Sequence, residues 1–308
     1  MNVLRMATST LGVFRTFDGY RTPEFLDIQT QTKTPGLLED LPNLGLAIVG
    51  TRHPQKRSLS LLERTMEELR GSGLIILSGF ARGIDSAAHE LAIKNGLRTI
   101  AILGCGIDVD YPRENRRLRE EILASGGMVL SPFECGSPPL PHAFHHRNGL
   151  IAGFSRAVWV VEAAAVSGTL NTANWAQKFN RDLYATSCFP EDPFFQGNQK
   201  ILSQSDTDRY PVAHPFFGPE SLCASWPGLR QAARPHQGLL GLGNKVRSRL
   251  QNLILSLQSS TGICHATTLL QVDLENGKSP SEHFQELSDE IREQRVRENP
   301  DGTLESTI

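Results

Sequence analysis

Long apolar runs are missing from this chain. None approaches the roughly 18 residues that a membrane-spanning helix needs. The N-terminal stretch MNVLRMATSTLGVFRTFDGY lacks the apolar centre of a secretory leader. No membrane partner is expected, and the expected compartment is the cytoplasm. Cysteine is also scarce: five residues among 308 (Cys105, Cys135, Cys188, Cys223 and Cys264), with no C-x-x-C spacing. An odd, dispersed set fits a reducing compartment better than a disulfide framework. Neither sign of charge is in excess, since 31 Lys and Arg face 33 Asp and Glu, for a net charge of −2. The balance varies along the chain: seventeen basic against fifteen acidic residues over 45–204, but three against eight over 281–308. Net charge therefore neither demands nor excludes a polyanionic partner.

Several cofactor and catalytic signatures are absent too. Gly104 and Gly106 are followed by Val109, where a dinucleotide fingerprint needs a third glycine. No G-x-x-x-x-G-K-[ST] occurs, so a P-loop ATPase is not supported. No cofactor is expected. His142, His145 and His146, near Cys135, match no standard zinc spacing, and no metal is expected. Ser167 lacks the G-x-S-x-G elbow of a serine nucleophile. Asp85 and His89 lie four apart on one predicted helix face, where a cap and a surface histidine account for them. Glu162, at a predicted strand end, is the best lone carboxylate for acid–base work, but no second carboxylate accompanies it.

What the chain does have is alternation. Short β-rich apolar runs at 46–49, 74–77, 99–103, 128–130, 158–161 and 183–185 are separated by helical periods near 57–70, 84–95, 113–125, 146–154 and 169–179. Near-continuous apolar strands between helices predict a mainly parallel sheet covered on both faces, a doubly wound, Rossmann-like α/β domain over 45–204. Residues 1–44 read as a short, partly ordered extension. Residues 205–244 are rich in Pro and Gly and read as a linker. A small, mostly α module is expected over 245–308, with helices near 245–258 and 281–298 and a disordered acidic end.

Chemistry-bearing residues gather where predicted strands end. The first is followed by Gly50-Thr51-Arg52, and the second by the stretch Ser78-Gly79-Phe80-Ala81-Arg82-Gly83-Ile84-Asp85. The third runs into Gly104-Cys105-Gly106, and the fifth is followed by Ser167-Gly168-Thr169. A strand that feeds a glycine turn and a helix start aims backbone N–H groups and a positive dipole end at one spot, which suits phosphate. Arg52 and Arg82 add charges with fork geometry. In a doubly wound sheet all four turns share one side, where ligands sit. The segment 138–156 adds Phe144 and Arg147-Asn148 at a helix start, and aromatic plus arginine is the pairing of single-strand sites.

In this order the motifs G-T-R, S-G-x-A-R-G-I-D, G-x-G-I-D-x-x-Y-P-x-x-N, F-x-x-R-N-x-x-I-A-G-x-S and V-V-E-A-x-x-x-S-G-T-L-x-T-A resemble the DprA/Smf (DNA processing protein A) family over about residues 45–202. The resemblance implies a non-catalytic protein that binds single-stranded DNA without sequence preference. It also implies dimerisation and the loading of RecA recombinase onto DNA during natural transformation. Carried onto this chain, it has Arg52 on a DNA phosphate beside Gly50, and Phe144 stacked on a base. The family's R-N-R appears as Arg147-Asn148-Gly149, one charge short. Two other readings stay open. One is a LOG-type nucleotide phosphoribohydrolase, although the glutamates of that signature are replaced at Ser167-Gly168-Thr169-Leu170-Asn171-Thr172. The other is a sensor of a small nucleotide.

Overall fold

The computed structural model describes residues 3–10, 20–31, 36–188, 192–203 and 212–226, together with three short strands nearer the C-terminus. The chain divides into two units, Met1–Phe216 and Phe217–Ile308.

The first unit is built on a nine-stranded sheet. Well inside it lies β3 (Gly45–Val49), whose five residues are all buried, as expected for a strand covered on both faces. From β3 the chain builds outward through α2 (Lys56–Glu68), β4 (Ile75–Ser78), α3 (Ile84–Lys94), β5 (Arg98–Ile102), α4 (Arg116–Ala124) and β6 (Met128–Ser131). It then returns through α5 (Pro141–Phe154) to place β7 (Ala157–Val160) against the other side of β3, and continues through α6 (Thr169–Lys178) to β8 (Asp182–Thr186). All pairings from β6 across to β8 are parallel. The reversal between β3 and β7 is the topological switch point, and their carboxyl ends open the crevice such folds use.

Side-chain alternation separates two cores. Ile100 and Ile102 join Leu150, Ile151 and Phe154 of α5 and Leu170 and Ala173 of α6 in one cluster. Ala101 and Leu103 join Leu118 and Ile122 of α4 in the other. Helices thus cover both faces, and the doubly wound architecture expected from the alternating pattern is present. All six strand runs form strands. The helix expected at 146–154 begins earlier, at Pro141, a residue preorganised for a first helical turn.

The N-terminal stretch read as an extension contributes to this sheet. β1 (Val3–Ala7) and β2 (Phe25–Thr30) are antiparallel to each other, and β2 is antiparallel to β6. Arg5 ties them down, donating to Asp27 at 2.7 Å and to Glu134 at 2.8 Å. A helix, α1 (Gly36–Leu44), leads into β3. At the opposite edge β9 (His214–Phe216), inside the stretch read as linker, pairs in parallel with β8. Its Phe216 stacks on Trp159 at a centroid distance of 3.9 Å. Between them α7 (Gln196–Leu202) is pinned by Asn198, whose amide accepts from Ala163 N–H and donates to the carbonyls of Val160 and Thr186.

In the second unit the described residues include β10 (Cys264–His265), β11 (Val296–Glu298) and β12 (Thr303–Ser306), an antiparallel sheet with β12 in the middle. The helix expected near 245–258 lies outside the described residues, as do 281–295 of the second expected helix. Its last three residues are strand, and the stretch expected to be disordered supplies β12. Pairing on both sides satisfies the backbone of β12, which a reading of local periodicity cannot anticipate.

Candidate nucleic-acid interface

The four turns expected to cluster do so at the carboxyl ends of β3, β4, β5 and β7. The turns after β3 and β7 are joined directly, since Thr51 N–H donates to the Glu162 carbonyl at 2.8 Å. The turn after β4 leans on the same place, with Ile84 N–H donating to the Thr51 carbonyl at 3.1 Å. That approach requires two glycines. A Cβ on Gly50 would sit 2.6 Å from the Ile84 side chain, and one on Gly83, at φ +80°, would strike the backbone of Thr51 and Arg52.

Some donors of the turn after β4 are already used. The Asp85 carboxylate accepts from Ala81 N–H at 3.3 Å, and the first helical N–H goes to Thr51. Burial pushes the Asp85 carboxyl up from its usual range, against the pull of the Arg147 guanidinium and the hydrogen bonds it accepts. The turn is therefore internally braced. What it offers the crevice is Arg82, exposed and ion-paired with exposed Glu114.

Two expected contacts prove to be interior groups. Ser78 is fully buried and donates its hydroxyl to the Ile48 carbonyl at 2.6 Å, tying β4 to β3. Arg147 is only 4% exposed. Its guanidinium donates to the carbonyls of Gly79 and Ile102, capping β4 and β5. Burial lowers its pKa to about 10, the nearby Asp85 working the other way. Gly79 makes room for it, because a Cβ there would lie 2.5 Å from the guanidinium. One helical turn earlier on α5, Phe144 lies flat over Gly104, where a Cβ would come within 2.5 Å of the ring. The ring stands 5.8 Å from the Arg147 guanidinium and 5.7 Å from the exposed ring of Tyr111.

Around Phe144 the surface is hollow. A cavity of about 350 Å³ lies between the turns after β3 and β7, lined by Thr51, Arg52, Phe144, Asn148, Ser167 and Thr169 among others. A second, of about 180 Å³, shares Arg52 and Phe144 and extends to Arg82, Gly104 and Tyr111. Arg52 is exposed and makes no ion pair among the described residues. Asn148 donates to the Gly168 carbonyl at 3.3 Å, and the Ser167 hydroxyl accepts from Thr169 N–H at 3.2 Å, fixing the start of α6. Open space surrounds the Cα of Gly168, so that position needs no glycine for fit. Of the expected residues, Gly50, Thr51, Arg52, Gly79, Arg82, Phe144, Arg147, Asn148, Ser167, Gly168 and Thr169 come together around these cavities, Arg147 as a buried part of the wall. Gly83 serves the close approach of the turns. Tyr111 is the wall residue the motif reading left without a role, although Tyr-Pro ahead of a helix was its signal.

Glu162, the lone acid–base candidate, is 1% exposed and accepts from Gln55 N–H at 2.9 Å and the Ser58 hydroxyl at 2.6 Å. A carboxylate there holds the positive end of α2. Glu162→Ala should lower stability by about 2 kcal/mol, measured by urea unfolding, because charged hydrogen bonds to the start of α2 are lost. Among the nearby histidines, His146 is engaged by the Arg21 carbonyl at 2.9 Å and stacks on Tyr20 at 4.8 Å.

Residues 34–210 match the family model for DNA recombination-mediator protein A. The chain belongs to that family. The match spans β3 to α7 and so contains the whole crevice. The Smf protein of Synechocystis is 44% identical over 147 residues, 48% of this chain and 37% of that protein. The chain spans less than half the length of such curated relatives. The crystal structure of Streptococcus pneumoniae DNA processing protein A superposes with a TM-score of 0.61 at 29% identity, covering 73% of this chain and 74% of that one. DNA processing protein A of Helicobacter pylori, whose structure concerns its single-stranded DNA binding mode, gives 0.58 at 29% identity, covering 68% and 91%.

Proposed function

We propose that this chain binds single-stranded DNA in the crevice around Phe144, without reading its sequence, and acts as a non-catalytic recombination mediator. The observation that carries the reading is the pairing of a cation that has no ion pair among the described residues with a seated aromatic. Arg52 lines both cavities, and the Phe144 ring lies between them on the bare backbone of Gly104. Ring faces accept any base, and a guanidinium suits a phosphodiester, so affinity without base preference follows. The Helicobacter pylori relative, with its single-stranded DNA binding mode, supports the same assignment. Gly50, Thr51, Gly79, Arg147, Asn148, Ser167, Gly168 and Thr169 then form the phosphate-facing wall, while Ser78 and Gly83 shape it from behind. Work in the cytoplasm, as a homodimer, delivering RecA to single strands in transformation is the wider role that family membership favours. A phosphoribohydrolase draws no support from the site, since Glu162 is committed to α2 and the turn after β7 carries no other carboxylate.

The test is a titration of single- and double-stranded DNA at two salt concentrations. The single strand should bind more tightly, with affinity falling as salt rises. Phe144→Ala should weaken it about ten-fold. Arg52→Ala should also weaken it and should flatten the salt dependence, as loss of one phosphate contact requires. Equal affinity for both DNA forms, or unchanged binding by both variants, would sink the reading.

A further inference from the structure

Beyond the two cavities at Phe144 lies a third, of about 380 Å³, lined by Arg82, Asp110, Tyr111, Pro112, Arg113 and Glu114 among others. It shares Arg82, Tyr111 and Pro112 with the second cavity, which shares Arg52 and Phe144 with the first. The three hollows therefore run in series, with one aromatic ring at each junction. Phe144 borders the first and second, Tyr111 the second and third. The Tyr111 side chain is 39% exposed, unusual for a ring with no core to fill, and its plane is tilted 45° from that of Phe144. Both rings border the second hollow, set at an angle to each other.

The charges of the third hollow are arranged unevenly. Arg113 is exposed at the rim, and Asp110 faces Arg116 and Arg119 of α4 at 3.9 and 4.0 Å. Glu114 instead reaches into the hollow and holds Arg82, and both side chains are more than half exposed. An ion pair so exposed is worth little, so a stronger anion can replace the carboxylate.

We propose that Tyr111 is a second stacking platform for the same strand, and that Glu114 occupies Arg82 until a phosphodiester displaces it. This rests on the single-strand reading of the crevice and extends it by one nucleotide past Phe144. Two platforms set at an angle take successive bases splayed apart, which a stacked duplex cannot supply. Glu114 also sets a threshold, because a ligand must outcompete a carboxylate to gain the Arg82 contact.

The experiment uses the full chain and a fluorescein-labelled oligothymidylate about 15 nucleotides long, long enough to fill such a track, with anisotropy as readout. Tyr111→Ala should weaken binding about ten-fold, and Tyr111→Phe should keep wild-type affinity, because stacking needs the ring and not the hydroxyl. Glu114→Gln should tighten binding about three-fold at low salt, with the gain shrinking as salt rises. If Tyr111→Ala binds like wild type while Phe144→Ala is weakened, the second platform is wrong and the single-strand reading stands. If Glu114→Gln binds no more tightly than wild type, the displacement of Glu114 is wrong. A wild-type chain that fails to hold the oligonucleotide overturns both the inference and the reading beneath it.

Discussion

Arg147→Met should lower stability by about 3–5 kcal/mol, the range found when one member of a buried charge pair is removed. The guanidinium is the only group among the described residues that bridges the carbonyl ends of β4 and β5, at Gly79 and Ile102. It is also the charge that offsets the buried carboxylate of Asp85. Methionine fills the stem but leaves two carbonyls without that donor and Asp85 without its counter-charge. Urea unfolding at neutral pH reads the loss. The double variant Arg147→Met with Asp85→Asn should recover part of it, since the stranded carboxylate is gone. The deficit of the single variant should shrink in acid. Burial raises the folded-state pKa of Asp85 above its unfolded value, so its ionised form weakens the fold. That cost disappears as pH falls through the folded pKa. Equal stability of wild type and Arg147→Met would overturn this account of the crevice floor.

Much of the first unit was legible in the sequence because two periodicities alternate there and the strands are buried on both faces. A run such as Leu-Ala-Ile-Val at 46–49, short and followed by Gly50, reads as a strand buried on both faces. The clustering of Gly50, Gly79, Gly104 and Gly168 was legible as well, because strand polarity alone puts those turns on one side. The strands β1 and β2 were not. Val3–Ala7 is an edge strand, mostly exposed, and carries no apolar pattern strong enough to mark it. Its place comes from pairing with β2 and from Arg5 reaching Asp27 and Glu134, partners far away in sequence.

Side-chain roles at the site divided along the same line. Phe144 and Arg52 were readable as a ring and a charge beside glycine turns, and both face the cavities. Arg147 follows Phe144 by one turn and has the composition of a phosphate ligand, yet its guanidinium is taken up by the Gly79 and Ile102 carbonyls at the ends of β4 and β5. Sequence spacing fixes the face of a helix but not whether a long side chain runs outward or inward. The glycines show the same ambiguity. Gly79 and Gly104 stand in two of the glycine turns and line a cavity, and each also makes room for a side chain of α5. Gly149 follows this rule as well, since a Cβ there would run into the Tyr20 ring, which packs on α5 and α6.

His89 extends the buried cluster and makes it sensitive to acid. Read from the sequence as a surface residue, it is fully buried on α3, one turn after Asp85. The Thr99 hydroxyl donates to the Ile76 carbonyl at 2.9 Å, so it accepts from Nδ1–H of His89 at 2.6 Å, leaving Nε2 as an unprotonated lone pair without a hydrogen-bond partner. Phe80 packs at 6.0 Å on one side, and the Arg147 charge opposes a second positive charge nearby. Burial, and then Arg147, lower the pKa of His89 to about 3, against 6.5 for a free imidazole. Between these values the unfolded chain binds a proton that the folded chain refuses, so stability falls as pH falls. Each unit costs about 1.4 kcal/mol, and by pH near 3 the loss approaches about 4 kcal/mol. Asp85 acts in the opposite sense over its own range, gaining a proton in the fold first. The His89 contribution is therefore isolated as the difference between wild type and His89→Leu. Urea midpoints measured from pH 7 to pH 4 should drop more steeply for wild type than for the variant, whatever the variant's stability at neutral pH. Parallel curves would show that His89 takes up its proton equally in the folded and the unfolded chain, and would remove it from the cluster that supports the crevice.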